Sequence, residues 1–282
     1  MATPQLRPFE LVGADGGPLR GEVRTPGAGS NRPAVVICHG FKGFKDWGFF
    51  PHLAQRLARA GITAVSFNFS GSGVGPDGES FSEPERFGHA TFTGDRADLK
   101  AVIGALLAGN LVAGVSPPSK LGLFGHSRGG GTVILFASAD PNVRVLVTWA
   151  AIGAALRWGP ETLRQWRRDG KIEITNMRTG DVLPLYTDVL DELEGDTDGR
   201  FDIPAAASRI AVPWLIVHGE SDEAVPVTDA EKLWQANGKH ADLLTIRHGS
   251  HTLGARHPWA GSTAQLDQAM DATVDRFVRD LF

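Results

Sequence analysis

The chain has 282 residues, 42% of them apolar, which suits one large buried core better than a string of small domains. Its 28 basic and 32 acidic residues give a formal charge of −4 with no long run of either sign, which argues against a nucleic-acid or membrane-surface binder and favours a small or neutral substrate. Cys38 is the single cysteine, so an internal disulfide and a thiolate metal cluster are both excluded; with no apolar run in MATPQLRPFELVG and no membrane-length apolar stretch, one cytoplasmic domain over 1–282 is expected.

In chain order, residues 9–25 alternate apolar and polar positions around Asp15-Gly16-Gly17, the pattern of an antiparallel hairpin. Short apolar runs then recur at 34–38, 62–69, 121–124, 143–149, 212–217 and 242–246. Stretches with helical spacing lie among them at 51–60, 95–108, 129–138, 226–236 and 263–281. Strands that are apolar throughout are covered on both faces, and their alternation with helices predicts a mostly parallel α/β sheet with right-handed crossovers. Chemistry in such a sheet sits at the carboxyl ends of the strands. Gly/Pro-rich loops are expected at 26–33 and 71–79, and no internal repeat is present.

One segment breaks this rhythm. About sixty residues separate Trp149 from Val212, too many for one crossover. They hold Trp158, Trp166, Tyr186, a predicted helix at 159–168 and the acidic stretch 188–198. Residues 153–205 therefore read as an inserted cap, with these three aromatic residues as candidate substrate-binding side chains; an insertion packed away from the site is the alternative.

Gly125-His126-Ser127-Arg128-Gly129 matches G-x-S-x-G between the strand LGLF and a helical stretch. A sharp strand-to-helix turn would lift the Ser127 hydroxyl above the sheet, and the flanking glycines let neighbouring backbone approach it. A serine hydroxyl attacks only if a base takes its proton. His251, in His248-Gly249-Ser250-His251 after the last predicted strand, is the expected base, with His248 as rival. A zinc site on the same two histidines lacks a third ligand. The base needs an acceptor to fix its tautomer. The polar loop His218-Gly219-Glu220-Ser221-Asp222-Glu223 offers Asp222, with Glu220 and Glu223 as rivals.

A tetrahedral intermediate also needs two preorganised donors. The backbone N–H groups of Arg128 and of Phe41, in His39-Gly40-Phe41-Lys42-Gly43 after the first parallel strand, are the candidates. His39 and His126 read as loop braces, Cys38 as a buried hydrophobe, and Lys42, Lys45 and Asp46 either as contributors to substrate preference or as surface charge. The G-x-G at 71–73 lacks the spacing of a dinucleotide fingerprint and no G-K-[ST] loop occurs, so neither cofactor nor metal is expected.

HGFKG, GHSRGG, HGESDEAVP and GSH, in this order over residues 34–260, resemble the α/β-hydrolase superfamily. The chain is most similar to its dienelactone-hydrolase-like, acyl-peptidase-related and cinnamoyl-esterase-like bacterial members, FNFSGSG at 67–73 included. That resemblance implies an eight-stranded sheet, a cap after the sixth strand and an acyl-enzyme mechanism. Ser127 stands where dienelactone hydrolases carry cysteine, which favours ester over lactone chemistry, and the chain has no propeller domain of the prolyl-oligopeptidase kind. The expected function is a carboxylic ester hydrolase for small or aromatic acyl esters. An aminopeptidase, thioesterase or C–C bond hydrolase would use the same triad, and a non-catalytic binding protein on a hydrolase frame is the reading from another class.

Overall fold

The computed structural model describes residues 4–27, 31–176 and 180–282. Part of the loop expected at 26–33 and residues 177–179 of the expected cap lie outside them. Ten strands and nine α-helices are defined among the described residues. The N-terminal hairpin is β1 (Gln5–Val12) and β2 (Pro18–Thr25), antiparallel in register from Gln5 opposite Thr25 to Val12 opposite Pro18, so it starts four residues earlier than the alternation suggested. Next come β3 (Ala34–Cys38), α1 (Phe50–Arg59), β4 (Thr63–Phe67), α2 (Pro84–Gly88), α3 (Phe92–Leu107), β5 (Leu121–His126), α4 (Arg128–Ala137) and β6 (Val143–Trp149). Every residue of β3, β4 and β5 is buried, as continuous apolarity requires of strands covered on two faces.

After the insertion the chain resumes with β9 (Trp214–Gly219), α8 (Val227–Asn237), β10 (Ala241–Ile246) and α9 (Ala264–Leu281). The main sheet has eight strands in the order β1-β2-β4-β3-β5-β6-β9-β10. β2 meets β4 antiparallel, and every pair from β4–β3 to β9–β10 is parallel. Helices α1 and α9 pack together, while α3, α4 and α8 form a separate cluster around α4 and the insertion's last helix. Two tryptophans deep in the core find acceptors for their N–H groups: Trp149 donates to Thr273 Oγ1 at 2.8 Å, and Trp214 to Thr148 Oγ1 at 3.0 Å.

The insertion after β6 consists of α5 (Pro160–Asp169), the two-stranded antiparallel sheet β7 (Lys171–Thr175) and β8 (Val182–Tyr186), α6 (Asp188–Glu194) and α7 (Ile203–Ser208). The hairpin was not legible in the sequence. Its ties to the body are specific. Glu192 of α6 accepts the backbone N–H groups of Phe92 and Thr93, both at 2.7 Å, and so supplies an anion to the open end of α3. Strand β8 packs on α2, where a Cβ at Gly88 would sit 2.6 Å from the Tyr186 ring. Among the described residues no helix is long and apolar enough to cross a membrane.

Candidate active site

Ser127 occupies the single-residue turn between β5 and α4 with φ 57° and ψ −121°, a conformation that L-residues rarely adopt. It persists because its surroundings over-determine it. The Ser127 N–H donates to the Trp149 carbonyl at 2.9 Å, and its own carbonyl accepts from Gly131 at 3.2 Å and Ile152 at 3.3 Å. The glycines are required by close approach: a Cβ at Gly129 would lie 2.3 Å from the His39 carbonyl oxygen, one at Gly125 2.4 Å from the Gly129 oxygen, and one at Gly40 2.9 Å from Ser127 Cβ. Thus the elbow and the 39–43 loop touch backbone to backbone, at the carboxyl ends of β5 and β3.

The loops after β9 and β10 are joined in the same way. Ser221 N–H donates to the Gly249 carbonyl at 2.9 Å, and a Cβ at Gly219 would stand 2.2 Å from that oxygen. This contact brings Asp222 and His251 together, with His251 Nδ1 2.8 Å from Asp222 Oδ2. The other carboxylate oxygen accepts the N–H groups of Ala224 at 2.9 Å and Val225 at 2.8 Å. Burial by itself would push the Asp222 carboxyl up, but hydrogen bonds from His218 and His251, the His251 charge and the Val225 N–H hold it well below the usual carboxylate range. Asp222 is therefore a committed anion. The rivals His248, Glu220 and Glu223 are exposed and take no part in the pair.

His126 Nε2 lies 2.9 Å from the His251 carbonyl oxygen, with the two rings 4.7 Å apart. That bond ties the histidine loop to the elbow. His39 donates from Nδ1 to the Gly40 carbonyl at 2.9 Å and accepts the Phe69 N–H on Nε2 at 3.2 Å, so both histidines brace loops, as expected. Burial, opposed by the Gly40 hydrogen bond and reinforced by the Arg128 charge, lowers the His39 pKa to about 4.

Ser127, Arg128, Phe41 and His251 line one cavity of about 710 Å³. Phe92, Ile152, Trp158, Ile174 and Val225 make most of its wall apolar. The Arg128 side chain is fixed beneath it. Its Nε donates to Asp95 Oδ2 at 2.8 Å, and its guanidinium carbon lies 4.2 Å from the Phe92 ring centroid. Arg157, also in the wall, is bound to Asp229 at 2.6 Å. Lys42, with φ 55°, reaches across to the Thr175 carbonyl of β7 at 3.3 Å and links the 39–43 loop to the insertion. Lys45, in contrast, is held by Glu22 at 2.9 Å and Asp46 at 2.5 Å, and none of these three lines this cavity.

Two of the three aromatic candidates in the insertion lie elsewhere. Trp158 lines the cavity, but Trp166 is fully buried beside it, ring centroids 4.9 Å apart, as core of the insertion. Tyr186 stacks on His89 at 4.5 Å and bonds to Glu85. Sequence spacing could not separate them, because which face of a short element meets the cavity depends on how the whole insertion docks. Conversely His218, Phe92, Ile174 and Arg157 were not singled out. Only His218 carried a signal, as the polar residue four positions before Asp222. Among the described residues no three His, Cys, Asp or Glu side chains group as metal ligands would.

The family described as serine aminopeptidase, S33, matches residues 29–175, more than half of the chain. The chain belongs to this serine hydrolase family. Among curated relatives of this S33 member, the 2,6-dihydropseudooxynicotine hydrolase of Paenarthrobacter nicotinovorans is 23% identical over 255 residues, which is 89% of the chain and 60% of the relative. A 31.7 kDa protein of Escherichia coli is 29% identical over 128 residues, 45% of the chain and 40% of the relative. The chain thus spans 60% or less of the length of these relatives. Among solved structures, the ferulic-acid-bound Est1E of Butyrivibrio proteoclasticus superimposes with a TM-score of 0.73 at 19% identity, covering 95% of this chain and 98% of the other. The dienelactone hydrolase of Anabaena variabilis gives 0.66 at 16% identity with complete coverage of both chains. These likenesses show the α/β-hydrolase fold.

Proposed function

We propose that the chain is a carboxylic ester hydrolase acting on small or aromatic acyl esters through an acyl-enzyme. The observation that carries this reading is a serine held at φ 57° in the same cavity as a histidine whose Nδ1 is 2.8 Å from an anionic carboxylate. Asp222 accepts a hydrogen bond from the Nδ1–H of His251, which leaves Nε2 free to take the proton of Ser127 as the hydroxyl attacks the ester carbonyl. The N–H groups of Phe41 and Arg128 receive the negative charge on the carbonyl oxygen. His251 then passes the proton to the departing alcohol, and water repeats the sequence on the acyl-enzyme.

The apolar wall of Phe92, Ile152, Trp158 and Val225 suits an acyl group, and residues 153–205 act as a cap that supplies Trp158 and Ile174 to it. Amide hydrolysis is the second reading: Glu223, exposed in the wall, is a partner for a free amino group. Glu223 shares that wall with Lys42, Arg128 and Arg157 are already paired with Asp95 and Asp229, and the rest of the wall is mostly apolar, which puts esters first. The test is turnover of p-nitrophenyl esters from acetate to dodecanoate beside alanine p-nitroanilide, with Ser127→Ala in parallel. Ester turnover that disappears in Ser127→Ala is expected. Turnover of the anilide alone would move the assignment to peptidase chemistry, and activity that survives Ser127→Ala would overturn the mechanism.

A further inference from the structure

A second histidine beside Asp222, at the end of β9, is left unused by the mechanism. His218 is the penultimate residue of β9, and its side chain is fully buried, as is that of Asp222 four residues later. Its Nε2 stands 2.8 Å from the Val225 carbonyl oxygen and 3.3 Å from Asp222 Oδ2. A carbonyl and an anionic carboxylate only accept, so the His218 proton sits on Nε2 and is shared between them. Nδ1 has no partner among the described residues, so the ring makes its hydrogen bonds through Nε2 alone.

The consequence is a fully occupied carboxylate. Asp222 Oδ1 takes two backbone N–H groups, and Oδ2 takes His251 and His218. The backbone pair fixes one oxygen but leaves the carboxylate plane to rotate about it. The His218 contact removes that freedom, and through Val225 the same N–H closes the 219–225 loop onto the strand it left. We infer that His218 is a positioning residue, which holds the Asp222 carboxylate in plane with the His251 ring and keeps part of its charge from His251. This inference rests on the ester-hydrolase reading for its kinetic consequence, though not for its geometry.

The experiment compares His218→Phe, which keeps an aromatic ring but has no donor, with His218→Gln, whose amide reaches the Nε2 position and restores one. In His218→Phe, kcat on the best p-nitrophenyl ester should fall about 10- to 100-fold, the worth of one hydrogen bond to a charged group, with KM within about threefold. The acid limb of kcat/KM should move to higher pH, because a carboxylate with three donors instead of four stabilises the protonated form of its partner more strongly. The other titratable and charged groups around this pair are His126, against the His251 ring, and Glu223 and Arg157 in the cavity wall; all three are unchanged. His218→Gln should recover most of kcat and return the acid limb.

Circular dichroism and thermal unfolding establish that each variant is folded, and His218→Leu replaces His218→Phe if the latter is not. Wild-type kcat and an unmoved acid limb in a folded donor-free variant would overturn the inference. So would equal losses in His218→Gln and His218→Phe that follow thermal stability alone. A readout independent of turnover separates the two proposals: the low-field proton resonance of His251 Nδ1–H should shift in His218→Phe and return in His218→Gln. If the wild type hydrolyses no ester, the ester reading fails and this resonance alone decides the role of His218. A resonance that does not move overturns it.

Discussion

Replacing Asp222 by Asn changes one atom, and the hydrogen bonds around it dictate which way the new amide turns. Asp222 receives two backbone N–H groups on Oδ1 and two imidazole N–H groups on Oδ2, whereas an asparagine has one acceptor and one NH2. If the NH2 faced the backbone, the N–H groups of Ala224 and Val225 would both lose their acceptor, and for the buried Val225 alone that costs about 1–3 kcal/mol. On the other side His218 keeps the Val225 carbonyl for its N–H, so the oxygen stays with Ala224 and Val225 and the NH2 turns toward His251. There it needs an acceptor, so the His251 proton moves to Nε2, the nitrogen that must be free to receive the Ser127 proton.

Loss of the correct tautomer in triads of this kind lowers kcat on the order of 10⁴-fold, or about 5.4 kcal/mol of transition-state stabilisation. The assay is saturation kinetics on the preferred p-nitrophenyl ester at pH 7.5, with circular dichroism to establish the fold. Glu220→Gln, which alters an exposed neighbour outside the cavity wall, should stay within about twofold. Retention of more than about a hundredth of kcat in Asp222→Asn, or an equal loss in Glu220→Gln, would refute the assignment.

The pH dependence of stability contains two opposing contributions. Burial lowers the His39 pKa from 6.5 to about 4, so its contribution is complete above pH 6.5 and is lost on acidification through pH 4; a shift of this size is worth about 3 kcal/mol. Burial raises Asp98 from 3.8 to about 6 despite N–H groups from Ser70 and Ala14, so its contribution is present below pH 3.8 and is lost as pH rises through 6, by about 3 kcal/mol. Urea unfolding between pH 4 and 7 should therefore show a shallower acid loss in His39→Gln and a steeper one in Asp98→Asn than in the wild type. Gly129→Ala places a methyl 2.3 Å from a backbone oxygen, so thermal unfolding should record a loss of about 1–3 kcal/mol or more and ester turnover should collapse. Gly104→Ala, at an exposed position of α3 with nothing within 4 Å, should instead stabilise by about 0.8 kcal/mol. Trp158→Ala should shift the preferred acyl chain to greater length at a stability cost of about 2 kcal/mol, since the ring is only partly buried; an unchanged chain-length profile would remove Trp158 from the acyl site.

The sequence by itself determined the frame. Runs apolar throughout, such as AVVIC and LGLF, could be stable only as strands covered on both faces, and they became the fully buried β3 and β5. G-x-S-x-G between a strand and a helix foretold the strained Ser127, because close backbone approach at Gly125 and Gly129 is a local requirement that only glycine meets. The spacing also named Asp222 and His251, as each follows directly on a strand whose end faces the site.

Tertiary structure decided what depends on two distant segments meeting. The hairpin β7–β8 has too short an alternating run to announce itself and is held by contacts to α2 and Lys42. Docking of the insertion turned Trp158 into the cavity and buried Trp166 behind it, a choice that no periodicity encodes. His218 acquired its role only when the loop closed and brought Asp222 Oδ2 and the Val225 carbonyl to one N–H. Local pattern specifies which residues must be buried or strained, whereas the partners of a buried polar group are set by where the chain returns.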